Sequence, residues 1–210
     1  MENNEKRGLF IAFEGIDGAG KTTQINKLKE YLEGLGRRVF VTAEPTTYPT
    51  GVAIREALSG KTRCSESEMA AMFVLDRIVH NTESESGIER MLADGYDVLC
   101  DRYYYSSLAY QGSATDFEWV RAMNLSCPEI RVPDMCIFLD LTPEQSLERI
   151  NARGESKEIY ETEEKLTAVR NKFFAAFALL EKDEKIAIVS AKGEIDEVAH
   201  RVRARISELL

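Results

Sequence analysis

The four cysteines of this chain, Cys64, Cys100, Cys127 and Cys136, include no C-x-x-C pair and no Cys/His spacing that a metal would use. That excludes a zinc ribbon or a disulfide framework and leaves reduced, mostly buried thiols. Only two histidines occur, His80 and His200, neither beside an acid or cysteine at suggestive spacing, so both are expected to be structural. Positive charge is not in excess: 27 Lys and Arg face 36 Asp and Glu, for a formal net charge of −9. Nucleic acid and membrane surfaces are anionic, so a general binder of either is excluded, while a local basic pocket is not. No apolar run approaches membrane-spanning length, and Met1 to Gly8 is polar with no apolar signal core, so a cytoplasmic address is expected. No repeat or low-complexity segment occurs.

What is present suits an α/β protein. With 210 residues, 44% hydrophobic and 30% charged, the chain can form one domain over residues 9–210 behind a loose tail, 1–8. Short apolar runs alternate with amphipathic helical stretches, the pattern of a parallel sheet. The runs predict five strands, Leu9 to Phe13, Val39 to Ala43, Asp97 to Cys100, Met135 to Leu139 and Ile186 to Ser190. Lys21 to Leu35 reads as a helix with apolar Ile25, Leu28, Tyr31, Leu32 and Leu35 at helical spacing and a stop at Gly36. Further helices are expected from near Gly51, over Glu66 to Glu85, over Pro143 to Ala152 behind a Thr142 cap, and over Glu194 to Leu210.

Directly after the first strand, Gly15-Ile16-Asp17-Gly18-Ala19-Gly20-Lys21-Thr22 satisfies G-x-x-x-x-G-K-[ST]. A glycine-rich loop between strand and helix turns successive backbone N–H groups toward one point, where a phosphate chain can sit. Lys21 would reach the β- and γ-phosphates, and the Thr22 hydroxyl would ligate Mg²⁺. Ligands of such sheets gather beyond the carboxyl ends of the strands. That rule selects Glu44-Pro45-Thr46-Thr47-Tyr48, Asp101-Arg102-Tyr103 and Asp140. Phosphoryl transfer needs a carboxylate near Mg²⁺ and an arginine for the acceptor phosphate, and Asp101 and Arg102 supply that pair. Asp140 alone reads only as a solvated strand end.

With those residues the chain resembles the thymidylate kinases of the P-loop nucleoside-monophosphate kinase group over nearly its whole length. The likeness rests on the stretch from Phe13 to Thr23, on Asp101-Arg102-Tyr103-Tyr104-Tyr105-Ser106-Ser107-Leu108-Ala109-Tyr110-Gln111-Gly112, on Phe73 and Arg77, and on Leu147 to Gly154. The resemblance implies a three-layer P-loop fold, a five-stranded parallel sheet flanked by helices with a small lid at about 149–164. The implied activity is ATP- and Mg²⁺-dependent phosphorylation of dTMP to dTDP by a homodimer, with the 66–85 helix a candidate self-complementary surface. By the same resemblance, the loop from Gly15 to Thr23 holds ATP and Asp17 approaches the deoxyribose 3′-hydroxyl. Phe73 stacks on thymine and Arg77 bonds a base carbonyl, whereas spacing alone makes Phe73 a core residue and Arg77 a surface one. Arg102 clamps the acceptor phosphate, Ser107 lies near the base edge with Ser106 and Gln111 in the same segment, and Tyr110 crowds the sugar 2′ position. Tyr103, Tyr104 and Tyr105 cannot all point inward if extended. Because Gly18 stands where some relatives place an arginine, a catalytic arginine is expected on the lid, Arg153 first and Arg149 second. Lys192, after the fifth strand, marks the adenine edge.

One departure bears on the acceptor. Many members carry an arginine before the Glu-Pro pair that follows the second strand, and here Ala43 precedes Glu44-Pro45. Either Arg55 or the Tyr48 hydroxyl replaces that clamp, or the acceptor is another nucleoside or nucleoside monophosphate. A P-loop switch NTPase is the remote alternative; it would need N/T-K-x-D, and the only Asn-Lys, Asn26-Lys27-Leu28-Lys29, lacks the acid.

Overall fold

The computed structural model describes residues 7–153 and 162–210. In chain order its elements are β1 (Phe10–Glu14), α1 (Lys21–Gly34), β2 (Arg38–Ala43), α2 (Pro49–Leu58), α3 (Glu66–Thr82), α4 (Ile88–Ala93), β3 (Tyr96–Asp101), α5 (Tyr104–Ala109), α6 (Gln111–Ala114), α7 (Phe117–Leu125), β4 (Met135–Asp140), α8 (Pro143–Arg153), α9 (Glu163–Leu180), β5 (Ile186–Ser190) and α10 (Ile195–Ile206). The strands form one parallel sheet in the order β2-β3-β1-β4-β5.

Period-two alternation on the central strands builds two cores. Phe10, Ala12, Val98, Cys100, Cys136 and Phe138 meet Val74 of α3, Leu108 of α5 and Phe173 and Phe177 of α9. The intervening Ile11, Phe13, Leu99, Ile137 and Leu139 meet Ile25, Leu28 and Leu32 of α1 and Val198, Val202 and Ile206 of α10. Each such side chain taken out of water contributes roughly 1.5–3 kcal/mol, which is why the buried strands read as continuous apolar runs. The result is the expected helix–sheet–helix sandwich.

Strand order reverses direction at β1, which has β3 on one side and β4 on the other. That is the switch point where such sheets open a crevice. Register brings the strand ends level there: Phe13 and Ala43 both pair with Asp101, and Glu14 pairs with Phe138. The P-loop, the Glu44 turn and the Arg102 turn therefore leave one rim side by side.

Several boundaries differ from the sequence expectation for physical reasons. The long third helix stops at Thr82 rather than Glu85, because the Glu83 carboxylate accepts the N–H groups of Glu85 and Ser86 and closes a turn. Glu194 is the cap of α10, in a capping box with Glu197, and the helix ends at Ile206. The helix α9 was not anticipated; Thr162 caps it and Leu166, Phe173, Phe177 and Leu180 form its buried face. The expected lid at 149–164 thus comprises the end of α8, the start of α9, and residues 154–161, which lie outside the described residues. Of the expected tail 1–8, residues 1–6 also lie outside them. Arg7 pairs with Asp134 at 2.8 Å, and the Gly8 N–H donates to the Leu92 carbonyl. Two of the cysteines, Cys100 and Cys136, are buried, while Cys64 and Cys127 are half-buried; all four are free thiols.

Candidate active site

Positive φ angles at Gly15, Gly18 and Gly20 bend the loop after β1 into a cradle that side chains with a Cβ enter only with strain. At its end Lys21 is buried, and its ammonium donates to the Gly15 carbonyl at 3.1 Å. Burial, followed by the neighbouring Arg102 charge, lowers the Lys21 pKa against the pull of Asp101, Asp17 and Glu14. The Thr22 hydroxyl donates to Asp101 Oδ2 at 3.2 Å, and Asp101 Oδ1 is buried without a partner among the described residues. An orphaned carboxylate oxygen beside a hydroxyl is a donor set that fits Mg²⁺, which takes one or two protein oxygens and leaves the rest to water and phosphate. No group of three or more His, Cys, Asp or Glu suited to a metal occurs among the described residues.

Arg102 stands at the centre of the rim. Its φ of 67° lies in the left-handed region, which costs a non-glycine residue on the order of 1–2 kcal/mol. The chain holds it there from β1: the Arg102 N–H donates to the Phe13 carbonyl at 2.9 Å and the next N–H, of Tyr103, to Glu14 Oε1 at 2.8 Å. Its guanidinium pairs with Asp17, donates to Ser106 Oγ at 3.2 Å and lies 5.5 Å from the Tyr110 ring centroid. Glu14, the residue just before the P-loop, is fully buried with its pKa raised to about 7, chiefly by desolvation. The signal was available in retrospect: an acid closing an otherwise apolar strand needs donors nearby.

The segment after Arg102 is not extended. Helix α5 begins at Tyr104, so Tyr103, Tyr104 and Tyr105 fan into the interior together and all three are buried. Tyr103 bonds Asn81, and the Tyr104 and Tyr105 hydroxyls both donate to Glu184. Tyr110 packs edge-on against Phe173, and Gln111 opens α6.

On the β2 side, Arg77 is buried rather than on the surface, and Phe73 is half-buried. Glu44 Oε2 accepts from Arg77 Nε and Nη2, Asn124 Oδ1 from Nη1, and Ser107 Oγ from Nη2 at 3.2 Å. The other Glu44 oxygen meets His80 Nδ1 at 3.0 Å, and His80 Nε2 meets Thr42 Oγ1 at 2.7 Å. His80, expected to stand apart from any acid, is thus paired with Glu44, and Asn124 is a partner that nothing local in the sequence singles out. The Glu44–Pro45 peptide is cis. Neither proposed replacement for a clamp at Ala43 is idle: Arg55 donates to the carbonyls of Pro45 and Thr46, and the Tyr48 hydroxyl bonds Ser86 Oγ at 2.8 Å. An open groove of about 550 Å³ runs along the outer side of α2, lined by Thr47, Val52, Arg55, Glu56, Ser59 and Lys61.

Helix α8 rests directly on the P-loop. Ser146 donates to the Asp17 carbonyl, and Arg149 reaches the carbonyls of Gly18 and Ala19 and, at 2.8 Å, of Ala191. Of the two arginines expected on a lid, Arg149 is brought against the P-loop; the side chain of Arg153, the first of them, lies outside the described residues. Arg201 donates to the carbonyls of Ser190 and Lys192, bracing the turn beside them. Asp140 is not a bare strand end, since Arg170 grips both its oxygens at 2.7 and 2.9 Å.

The family model described as thymidylate kinase matches residues 13–202. A probable thymidylate kinase of Methanococcus aeolicus is 37% identical over 195 residues, covering 91% of this chain and 92% of its own. One from Pyrococcus horikoshii is 36% identical over 210 residues, covering 97% and 98%. A thymidylate kinase of Xanthomonas oryzae pv. oryzae is 38% identical over 200 residues, covering 95% and 83%.

Proposed function

Because the chain belongs to the thymidylate kinase family, we propose that it transfers the γ-phosphoryl group of ATP to the phosphate of dTMP, giving dTDP and ADP for dTTP synthesis. The observation that carries this reading is that the ammonium of Lys21 and the guanidinium of Arg102 stand on one rim, close enough to act on each other's charge, with Arg102 paired to Asp17 of the loop that ends at Lys21. The acceptor is already an ionised phosphate, so the reaction needs no protein nucleophile; it needs two polyanions aligned while their repulsion is offset. Backbone N–H groups from Gly15 to Thr23 and Lys21 take the donor. Arg102 takes the acceptor phosphate, Asp17 the sugar, and Phe73, Arg77, Ser107 and Tyr110 the nucleoside. Arg149, already against the P-loop, offsets charge on the donor side. Thr22 and Asp101 would hold Mg²⁺, whose charge neutralises the β- and γ-phosphate oxygens when bound.

The chain works as a homodimer in the cytoplasm. Exposed Val52 and Leu58 on α2 and Leu75 on α3 support the first; for the second, no described helix is long and apolar enough to cross a membrane. Ala43 favours one further reading, a kinase for another nucleoside or nucleoside monophosphate, because Arg55 is spent partly on backbone carbonyls. Purified protein with ATP, Mg²⁺ and dTMP, dUMP, dCMP or thymidine separates the two. ADP release fastest with dTMP is expected; a different best acceptor favours the second reading, and no ADP above background with any acceptor overturns both.

A further inference from the structure

We propose that Glu14 is the positioning residue of the acceptor clamp, holding Arg102 in its binding conformation through Tyr103 and Ser106; this rests on the assignment of Arg102 to the acceptor phosphate made above. Glu14 ends β1 one residue before the P-loop and is fully buried. Its carboxylate receives three donors, all from the turn that follows Arg102. Oε1 accepts the N–H groups of Tyr103 at 2.8 Å and Ser106 at 3.1 Å, and Oε2 accepts the Ser106 hydroxyl at 2.6 Å. Tyr103, the cap residue of α5, provides no side-chain capping bond, so the start of that helix is tied down from β1 instead.

The consequence for Arg102 follows from two features. First, the peptide groups on both sides of its left-handed backbone are bonded to β1, one to the Phe13 carbonyl and one to Glu14. A conformation that the residue resists is thereby over-determined by its neighbours. Second, a serine hydroxyl has one proton. Because Ser106 gives that proton to Glu14, its lone pairs are turned to accept from Arg102 Nη1 at 3.2 Å. The guanidinium is fixed by the segment 14–17 at two points, through Ser106 by Glu14 and directly by Asp17. The charges of Arg102 and Lys21 both act on Glu14 and favour its ionised form against burial.

Calorimetric titration with dTMP and, separately, with a non-hydrolysable ATP analogue tests this on wild type, Glu14→Gln, Ser106→Ala, Arg102→Ala and the Glu14→Gln/Arg102→Ala double variant. Glu14→Gln is expected to raise the dTMP Kd about tenfold with the analogue's Kd changed by less than about twofold, and Ser106→Ala to raise the dTMP Kd about threefold. In the Arg102→Ala background, Glu14→Gln should add no further loss, since its effect passes through that side chain. Unchanged dTMP binding, equal weakening of both ligands, or losses that add in the double variant would each overturn the role. If Glu14→Gln does not fold, Glu14→Asp, which keeps the charge but withdraws it from Tyr103 and Ser106, takes its place in the same comparisons. Wild-type protein that binds the analogue but not dTMP instead refutes the acceptor assignment, and the role falls with it.

Discussion

At the scale of single residues, Glu14 shows function set against stability. Its carboxyl ionises near 4.5 when exposed, while burial pushes it up to about 7 in the fold. Between those values the folded chain holds a proton that the unfolded chain has lost, so stability falls as the pH rises through about 7. Replacement by the near-isosteric glutamine removes that dependence. The difference in unfolding free energy, wild type minus Glu14→Gln, should therefore move in favour of wild type by about 1 kcal/mol between pH 8 and pH 6. Urea unfolding at the two pH values measures it, and the other titrating groups cancel because both proteins share them. A constant difference would mean that the carboxyl is ionised throughout. The strain at Arg102 has the same character: an arginine with a φ of 67° is tolerated because Glu14, Phe13 and Asp17 hold it.

At the scale of elements, the contact between α8 and the P-loop explains why position 18 is glycine. Its φ is 78°, and a Cβ there would stand 2.8 Å from the Ser146 carbonyl oxygen, 3.1 Å from Ser146 Oγ and 3.2 Å from Ile150. The nearest obstacle is helix backbone, which cannot swing aside as a side chain can. Gly18→Ala should cost about 1–3 kcal/mol in thermal or urea unfolding and weaken ATP more than dTMP, because α8 and Arg149 must move off the loop. An unchanged ATP KM in a folded Gly18→Ala protein would show that α8 is not seated there during turnover. Elements with strong local signals were legible in the sequence: the five strands by apolar runs, α1 by its Lys-Thr start and Gly36 stop. The α9 helix was missed because its polar start, Glu163 to Lys165, continues the charged composition of the stretch before it. The site divided in the same way. Lys21, Thr22, Asp101 and Arg102 follow from motif and strand ends, whereas Glu14, Asn124 and Ser146 act through partners distant in sequence. Nothing local in the chain announces that Arg77 is buried on Glu44, 33 residues away.

At the scale of the whole molecule, a chain of formal net charge −9 gathers Lys21, Arg102 and Arg149 around one rim, where Asp17 and Asp101 partly offset them, so long-range attraction of phosphate is not expected and any grip on it is local. The surface also carries large apolar side chains that stand about half exposed. Leu75 of α3 is 53% exposed and Val52 of α2 47%, on helices that pack against each other. A two-fold axis across these helices would apply the patch to itself, and a stable interface of that kind covers about 800 Å² per partner, more than the two side chains alone offer. The half-buried Met72 and exposed Ala71, three and four residues before Leu75 on the same face of α3, extend it. Wild-type protein at micromolar concentration should therefore sediment near twice 23.7 kDa. Leu75→Glu, which places two like charges across the axis, should sediment as the monomer with its helical circular dichroism retained. A wild-type monomer, or a Leu75→Glu dimer, would remove α3 from the interface.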